Sequence, residues 1–385
     1  MSLLRNIRSL AKDILRNRKV PSLLEDHLKG NLNLVHISAF SFYNAGDTLL
    51  PVVLQDLFSL NLKIKKWSCI QVHSIMNALH INKINHSDGV IIGGGGLFLK
   101  DTNANNLSGW QWPCSIENLK KINAPIIMFA VGYNRFRGQE EFDPIFREHL
   151  NSFVEQAKFV GIRNYGSINK LKNYIDDDRL KEKLIFQPCM TTVISKMYPD
   201  LTDYSNKEDF IALNCAFDRK ELRSANDDIL KNIAEVALQL SKKTRIKYYS
   251  HVISDNQILP YFDSLGVKYE LVSFSNVKEM IIEYSKPKLV IGMRGHAQMI
   301  PFGCNTPILS IVSHDKLQYF LDDIGHSEWG VDVLDKDFSE KLFDKSVQLY
   351  ENFENVYDEI LIAQKKIWII TKNNLNMISK ILDCR

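Results

Sequence analysis

An arginine and a histidine stand two residues apart at the end of an apolar strand pattern, in the stretch GMRGHAQMIPFGCNTPILSI at 292–311. The pattern predicts that Arg294 and His296 lie in the first turn of a helix, where backbone N–H groups and the helix dipole attract anions. Because an arginine is locally unfavourable there, one interpretation is a bound anion held by both side chains. The other is an arginine paired with a carboxylate and a histidine bonded to the backbone. Pro301 predicts that this helix is short or kinked.

A second polar group, in SFYNAGDTLLP at 41–51, follows the first predicted strand. Open α/β sheets place their ligands on such strand-to-helix loops, so Asn44 and Asp47 are candidates for binding one. Asp47 is also suited to cap the following helix by accepting its N–H groups. The functional interpretation is a carboxylate that orients or deprotonates a hydroxyl group.

Four consecutive glycines, residues 93–96, follow another apolar strand pattern in DGVIIGGGGLFLKD. Glycine lets the backbone approach a ligand closely and turn N–H groups toward an anion, which makes Gly94, Gly95 and Gly96 candidate binding residues. The alternative is a tight turn between a strand and a helix. The run lacks the G-x-G-x-x-G spacing and the Lys-Ser/Thr pair of nucleotide-binding loops, which argues against dinucleotide binding and NTP hydrolysis.

Arg163 closes the last strand pattern of the first half, in GIRNYGSINKL, and Ser167 stands early in the helix that follows. An arginine at the carboxyl end of such a strand either forms a structural salt bridge or clamps an anion, and the fold favours the clamp. The segment FAVGYNRFRGQ at 129–139 also follows a strand, and its polar residues are typical of a solvated loop.

The elements that must position these residues alternate between apolar strands and helices, which is typical of parallel sheets covered on both faces. The alternation lapses around 188–209 and then restarts. We therefore predict one Rossmann-like domain over 31–190, a second over 205–335, and a helical segment over 336–385 that packs back on both. Two such sheets facing each other place the active cleft between them, at the carboxyl ends of their strands.

The N-terminal segment, 1–30, has helical spacing of apolar residues, and its first twenty residues carry a net charge of +5, which leaves 3 − 5 = −2 for the rest of the chain. A basic amphipathic helix suits an anionic membrane surface. It could equally pack on its own domain or on a second subunit of a homo-oligomer. The net charge of +3 is too small to indicate a nucleic-acid partner.

The compartment is predicted from what the sequence lacks. The six cysteines fit neither a C-x-x-C pair nor a zinc pattern, no apolar run is long enough to span a membrane, and the N-terminus lacks the apolar core of a signal peptide. We expect a cytoplasmic protein, with the basic helix as its means of reaching the inner face of the cytoplasmic membrane.

Taken in order, these features resemble the polysaccharide pyruvyl transferase family. The resemblance spans roughly 35–320 and rests on N-x-G-D at 44–47, the glycine run at 93–96, R-x-x-x-S at 163–167, and R-x-H at 294–296 followed by Pro307 and Asp315-Lys316. The chain departs from the family in having Gly295 where leucine is usual, Gln187-Pro188 where Asp-Pro is common, and His314-Asp315 where a Tyr-Asp pair is common.

The resemblance implies an α/β fold of the GT-B type, with two Rossmann-type domains facing a central cleft. It implies transfer of the enolpyruvyl unit of phosphoenolpyruvate to two hydroxyls of a sugar, which forms a cyclic ketal and releases phosphate. Arg163, Arg294 and His296 would contact this donor, with Lys316 in the same substrate site, and the Asn44–Asp47 loop would face the acceptor. The acceptor would be a glycan or a lipid-linked oligosaccharide, a precursor of a surface polysaccharide.

The chemistry of this reaction fits the candidate residues. Phosphoenolpyruvate carries a carboxylate and a phosphate, so its site needs several cations and hydrogen-bond donors. Its methylene carbon must be protonated by a positioned acid, for which His296 is the natural candidate. Asp47 would take the proton of the acceptor hydroxyl. The scheme needs no metal and no cofactor.

Two other functions remain open from the residues alone. A GT-B glycosyltransferase with a nucleotide-sugar donor would also bind phosphates at a helix start, but it often has an acidic residue in the following helix, and AQMIPFGCN has none. A non-enzymatic carbohydrate- or membrane-binding protein would not explain the presence of the basic residues Arg163, Arg294 and His296.

Overall fold

The computed structural model describes residues 20–25, 28–40, 44–223 and 227–383. Most of the basic helix predicted over 1–30 falls on residues 1–19, 26 and 27, outside the described residues, so its attachment to a membrane or to a subunit stays a prediction. Residues 20–25 and 28–30, the described part of that range, are not helical. The described residues form two six-stranded sheets, in which every pair of neighbouring strands is parallel, with helices around them.

The first sheet has the strand order β2-β1-β3-β4-β5-β6. Its strands are β1 (Leu32–Ser38), β2 (Ile64–Gln71), β3 (Gly89–Phe98), β4 (Ile126–Tyr133), β5 (Phe159–Ile162) and β6 (Leu184–Phe186). All eight residues of β4 are buried, and β3 is buried at all but one. Their unbroken apolar sequences arise because helices cover a parallel sheet on both faces.

The second sheet has the order β12-β11-β10-β7-β8-β9. Its strands are β7 (Glu208–Asn214), β8 (Arg245–Ser250), β9 (Tyr269–Ser273), β10 (Pro287–Gly292), β11 (Ile308–Val312) and β12 (Gly330–Asp332). The strands of the two sheets therefore fall on either side of the lapse near 188–209. The exact limits of the predicted domains stay a prediction.

Helices fill the connections between the strands. Those associated with the first sheet are α1 (Ala45–Asn61), α2 (Ala78–Asn85), α3 (Ile116–Lys120), α4 (Pro144–Gln156), α5 (Tyr165–Lys172), α6 (Asp178–Glu182) and α7 (Ile194–Met197). Those associated with the second are α8 (Asp227–Ser241), α9 (Leu259–Leu265), α10 (Val277–Ser285), α11 (His296–Gly303) and α12 (Asp315–Ile324). As Pro301 predicted, α11 is short.

The C-terminal segment forms two helices, α13 (Phe338–Glu351) and α14 (Phe353–Asp383). The 31-residue α14 touches both halves of the molecule. Its Gln364 bonds to Ser195 (2.9 Å) and to the carbonyl oxygen of Phe302, and Asn374 donates to the carbonyl oxygen of Phe186 (2.9 Å). These buried amide contacts fix the helix across the back of the two sheets.

Two arginines reach across the cleft in opposite directions. Arg137, after β4, donates to Asp315 (2.7 Å) and forms a two-pronged contact with Asp332 (2.9 and 2.7 Å). Arg219, after β7, donates to Thr102 and pairs with Asp101 (3.0 Å). The segment at 129–139 is therefore more than a solvated loop, since Arg137 joins the two halves.

Candidate active site

A cavity of about 250 Å³ lies where the carboxyl ends of strands from both sheets meet. Residues at or after the carboxyl ends of nine strands, four of them in the second half of the chain, contribute to its wall. Of the residues selected from the sequence, it brings together Asn44, Asp47, Gly94, Gly95, Gly96, Arg163, Arg294, His296 and Lys316. Residues up to 272 positions apart in the chain thus share one small space, counting from Asn44 to Lys316.

Ser167 is the one selected residue that does not line the cavity. Its hydroxyl accepts a hydrogen bond from the N–H of Tyr133 (3.0 Å), its own N–H donates to the side chain of Asn164 (2.7 Å), and it is fully buried. This placement gives Ser167 a structural task, which is to fix the end of β4 against the start of α5. It does not support a contact with substrate.

The glycine run lies inside strand β3 and not in a turn after it. Gly93 and Gly95 pair with residues of β4, and the pairing becomes irregular between Gly95 and Phe98. Gly94 and Gly95 have φ angles of +40° and +100°, which L side chains rarely adopt. The tight-turn alternative is therefore wrong, and the glycines allow an irregular strand to form part of the cavity wall.

The cap of α1 is Asn44, whose side chain accepts from the N–H groups of Gly46 (2.9 Å) and Asp47 (3.4 Å). The alternative in which Asp47 caps this helix is wrong. Since Asn44 caps the helix, the carboxylate of Asp47 does not bond to the first-turn N–H groups. It has no hydrogen-bond partner among the described residues and faces the cavity. Protein surrounds its other sides, and this burial raises the pKa of Asp47 to about 6, against the opposing charges of Arg294 and Lys316.

The ring of His296 rests on the first turn of α1. A Cβ atom at Gly46 would lie 2.0 Å from Nδ1 of His296, so only glycine leaves room for the imidazole. The other nitrogen, Nε2, is buried without a partner among the described residues. Burial and the charges of Arg163, Lys316 and Arg294 lower the pKa of His296 to about 3. The imidazole is therefore neutral at pH 7 with the surroundings that the protein provides.

Arg294 is paired on one edge of its guanidinium. Nε donates to both oxygens of Asp255 (3.0 and 2.9 Å), and Nη2 contacts Asp255 and Asp218 (2.6 Å to the latter). Burial alone would lower the pKa of Arg294, but the two carboxylates raise it above its ordinary value.

The prediction that Arg294 lies in the first turn of a helix is wrong, since α11 begins at His296 and Arg294 precedes it. Both interpretations of the sequence thus hold in part, because Arg294 is paired and lines the cavity.

Arg163 is the cation without such compensation. It is 5% exposed, it has no salt bridge within the described ranges, and its Nε has no hydrogen-bond partner there. A Cβ at Gly132 would lie 2.5 Å from Nη2, so the guanidinium lies against the backbone of β4. Burial lowers the pKa of Arg163, and the nearby Cys189 and Asp323 oppose this effect. Burying a guanidinium without a salt bridge is costly, so Arg163 is a candidate for binding an anion.

Lys316 comes from the start of α12 and crosses to the other half of the molecule. Its Nζ donates to the amide oxygen of Asn134 (2.6 Å) and lies 5.7 Å from the ring centroid of Phe136. Asn134 in turn packs on Gly96, where a Cβ would lie 3.0 Å from the amide. Lys316 therefore joins the second half of the chain to the glycine-containing wall.

Several wall residues were not predicted from the sequence, among them His73, Thr102 and Gln111 in the first half of the chain and three polar residues in the second half. Asp218 and Arg219 follow β7, and His251 follows β8, where its backbone oxygen accepts a hydrogen bond from the N–H of Ala45 (3.4 Å). All three stand just beyond the carboxyl end of a strand. The rule that identified Arg163 would have selected them had it been applied to every strand.

Two further findings concern metal binding and membrane-spanning helices. Among the residues that the structure describes, no group of three or more His, Cys, Asp or Glu side chains could hold a metal ion. No helix within the same residues is both long enough and apolar enough to cross a membrane.

Comparison with solved structures shows the fold. The HepE protein of Anabaena, solved with UDP and glucose, has a TM-score of 0.56 at 10% identity, covering 91% of this chain and 100% of that one. A variant of the Thermobaculum terrenum O-GlcNAc transferase has a TM-score of 0.50 at 12% identity, covering 97% and 75%. The UDP-GlcNAc 2-epimerase of Methanocaldococcus jannaschii has a TM-score of 0.50 at 14% identity, covering 82% and 92%. These likenesses confirm the predicted GT-B fold class and show the fold alone.

Comparison at the level of sequence gives the family. No curated protein sequence matches the chain. The family model described as polysaccharide pyruvyl transferase matches residues 44–315, a range that includes all the selected cavity residues except Lys316. With more than two thirds of its length matched, the chain belongs to the polysaccharide pyruvyl transferase family.

Proposed function

We propose that this protein transfers the enolpyruvyl group of phosphoenolpyruvate to two hydroxyls of one sugar, forming a pyruvate ketal and releasing phosphate. The observation that carries the proposal is the convergence of Arg163, Arg294, His296 and Lys316 with the carboxylate of Asp47 on one cavity. Family membership supports a transferase that acts on polysaccharide.

The size and charge of the cavity suit a small acid. About 250 Å³ is below the usual range of roughly 300–1,000 Å³ for drug-sized ligands. Arg163 has a fork of donors and forms no salt bridge among the described residues, with Asp323 as a nearby carboxyl group; a guanidinium of this kind suits an anion clamp. Arg294 keeps its unpaired edge for a ligand while Asp255 holds the other edge in place.

The reaction can be written with the residues of the cavity. Protonated His296 gives its proton to the methylene carbon of the donor, and the carbon that bears the phosphate becomes an oxocarbenium-like centre. The first sugar hydroxyl attacks this centre and loses its proton to Asp47. The second hydroxyl displaces phosphate and returns a proton to His296, while the proton on Asp47 leaves with the phosphate. Both groups are then restored for the next turnover.

The protonation states follow from the environment of each group. A pKa of about 6 leaves Asp47 mostly ionised at pH 7 and yet basic enough to accept a proton. His296 must gain its proton when the donor arrives, because the empty site keeps it neutral. A dianionic donor beside the ring would supply the negative charge that stabilises the imidazolium.

The acceptor would lie against the opposite wall, which is polar and mostly uncharged. His73 bonds to Gln111 there (2.8 Å), and Gln111 donates to the carbonyl oxygen of Gly96 (3.1 Å). Amide and imidazole groups of this kind suit sugar hydroxyls. The lipid-linked nature of the acceptor rests on the basic N-terminal segment alone.

The test is turnover by the purified protein. Incubation with phosphoenolpyruvate and a panel of glycans should release phosphate and give a product whose mass spectrum shows an added pyruvate ketal. His296→Ala should abolish release, whereas His86→Ala, at an exposed histidine that ends α2, should leave it unchanged. Thermal unfolding should shift upward with phosphoenolpyruvate and not with UDP or GDP. Stabilisation by UDP alone, without phosphate release from any glycan, would instead indicate a nucleotide-sugar donor.

A further inference from the structure

His251 is a cavity residue that neither the sequence nor the reaction scheme above uses. It follows β8 and is 6% exposed. Its backbone N–H donates to Asp255 (3.0 Å), and its backbone oxygen accepts from Ala45 at the start of α1. The backbone of His251 is therefore fixed by contacts from both halves of the molecule.

The tautomer of this imidazole is set by Tyr284. Nε2 of His251 lies within hydrogen-bond distance of the Tyr284 hydroxyl, which is fully buried and has no other partner among the described residues. A buried hydroxyl hydrogen needs an acceptor, and the lone pair of Nε2 is the one at hand. Tyr284 is then the donor and Nε2 the acceptor, which places the single hydrogen of a neutral imidazole on Nδ1.

Nδ1 of His251 is enclosed by protein and has no partner within the described ranges. The ring is neutral, because burial and the positive charge of Arg294 hold the pKa of His251 well below its ordinary value, with His296 acting in the same direction. His251 thus brings to the cavity wall, beside Arg294 and His296, a buried N–H donor that has no protein partner within the described ranges. Such groups are rare unless a ligand or an ordered water completes them.

We propose that His251 is a further ligand-binding residue, which donates a hydrogen bond from Nδ1 to an anionic oxygen of the bound donor. The inference deepens the proposed function and rests on it for the identity of that donor. Tyr284 acts as a positioning residue, because it fixes the tautomer and does not itself line the cavity. A neutral hydrogen-bonding group suits this position, because another cation beside Arg294 and Arg163 would further lower the pKa of His296.

The first test measures the tautomer directly. ¹⁵N-histidine NMR of the full chain, with the His251 signals assigned by their loss in His251→Asn, should show a protonated Nδ1 and an unprotonated Nε2. Tyr284→Phe keeps the ring that packs on Phe274 and removes the hydroxyl, so it should give a mixture of tautomers. A wild-type ring with its hydrogen on Nε2 would overturn the inference whatever the protein catalyses.

The second test measures affinity for two probes, inorganic phosphate and phosphoenolpyruvate, by calorimetry. An asparagine amide can place an N–H near the position of Nδ1, whereas the longer glutamine amide reaches the position of Nε2. His251→Asn should therefore stay within about threefold of wild type, and His251→Gln should bind about 10–100-fold more weakly, the value of one hydrogen bond to a charged group. Tyr284→Phe should fall between them, and it serves as the test if His251→Gln does not fold.

The outcomes separate this inference from the proposed function. If His251→Gln binds phosphate and phosphoenolpyruvate as tightly as wild type, His251 has no ligand contact and only this inference fails. If His251→Gln weakens phosphate binding but phosphoenolpyruvate is never turned over, the donor is wrong and the contact stands. If the wild-type protein binds neither probe at millimolar concentration, both fail.

Discussion

Binding of phosphoenolpyruvate should draw a proton onto His296. In the empty site the pKa of this imidazole is about 3, so at pH 7.5 it carries no proton. Half-protonation at that pH requires a rise of about 4.5 units, or about 6 kcal/mol. A unit negative charge about 4 Å away contributes about 4 kcal/mol at the effective dielectric constant of a protein surface site, which is about 3 units.

The charge of the ligand then decides the result. A ligand with two negative charges near the ring raises the pKa of His296 by about 6 units, to about 9, and the imidazole binds close to one proton. Pyruvate, with one charge, raises it only to about 6 and gives an uptake below about 0.1 proton. The donor therefore creates the acid that its own reaction needs.

Calorimetric titration in buffers of different ionisation enthalpy measures the uptake. Phosphoenolpyruvate can itself exchange a proton, since a phosphate monoester has a pKa near 6, and so can Asp47. The useful quantity is therefore the uptake by wild type minus the uptake by His296→Gln, in which both other contributions remain. We expect a difference close to one proton for phosphoenolpyruvate and near zero for pyruvate. Equal uptake by the two proteins would refute the assignment of His296 as the acid.

Three further substitutions test the geometry around this acid. Gly46→Ala places a Cβ 2.0 Å from the imidazole of His296, and displacement of the ring should reduce phosphate release about 100-fold with little change in the circular dichroism spectrum. Asp255→Asn removes the charge of a carboxylate that pairs with the buried guanidinium of Arg294, and it should lower the free energy of unfolding in urea by about 3–5 kcal/mol. Arg163→Met removes a buried charge that has no salt bridge among the described residues. It should therefore raise the melting temperature measured without ligand and abolish the stabilisation by phosphoenolpyruvate. A lower melting temperature without ligand would mean that Arg163 has a partner within the protein.

Much of the site could be predicted because parallel sheets gather the carboxyl ends of their strands at one edge. Arg163 follows β5 and Arg294 follows β10, and this local information sufficed to place both on one cavity. The alternation of apolar strands with helices likewise gave both sheets and the C-terminal helices. These features depend on periodicity and chain order, which a single sequence contains.

The errors concern contacts that the local sequence pattern does not determine. Asp255 lies 39 positions before Arg294, and nothing local to either residue predicts that they pair. Asn44 and Asp47 compete for the same cap, and the choice depends on side-chain geometry that composition does not determine. The run of four glycines left a tight turn open as an alternative, and pairing with the neighbouring β4 is what keeps the run in the sheet.

The pairing of Arg294 explains how a site rich in cations can still hold an acid. Positive charge lowers the pKa of His296, and Arg294 is one of its three sources. The carboxylates of Asp255 and Asp218 neutralise part of that field without occupying the remaining edge of the guanidinium. If Arg294 were as uncompensated as Arg163, a dianionic donor would have to offset a larger positive field before the imidazole could be protonated. The carboxylates beside Arg294 therefore favour catalysis as well as folding, because they keep the pKa of His296 within reach of the charge that the donor brings.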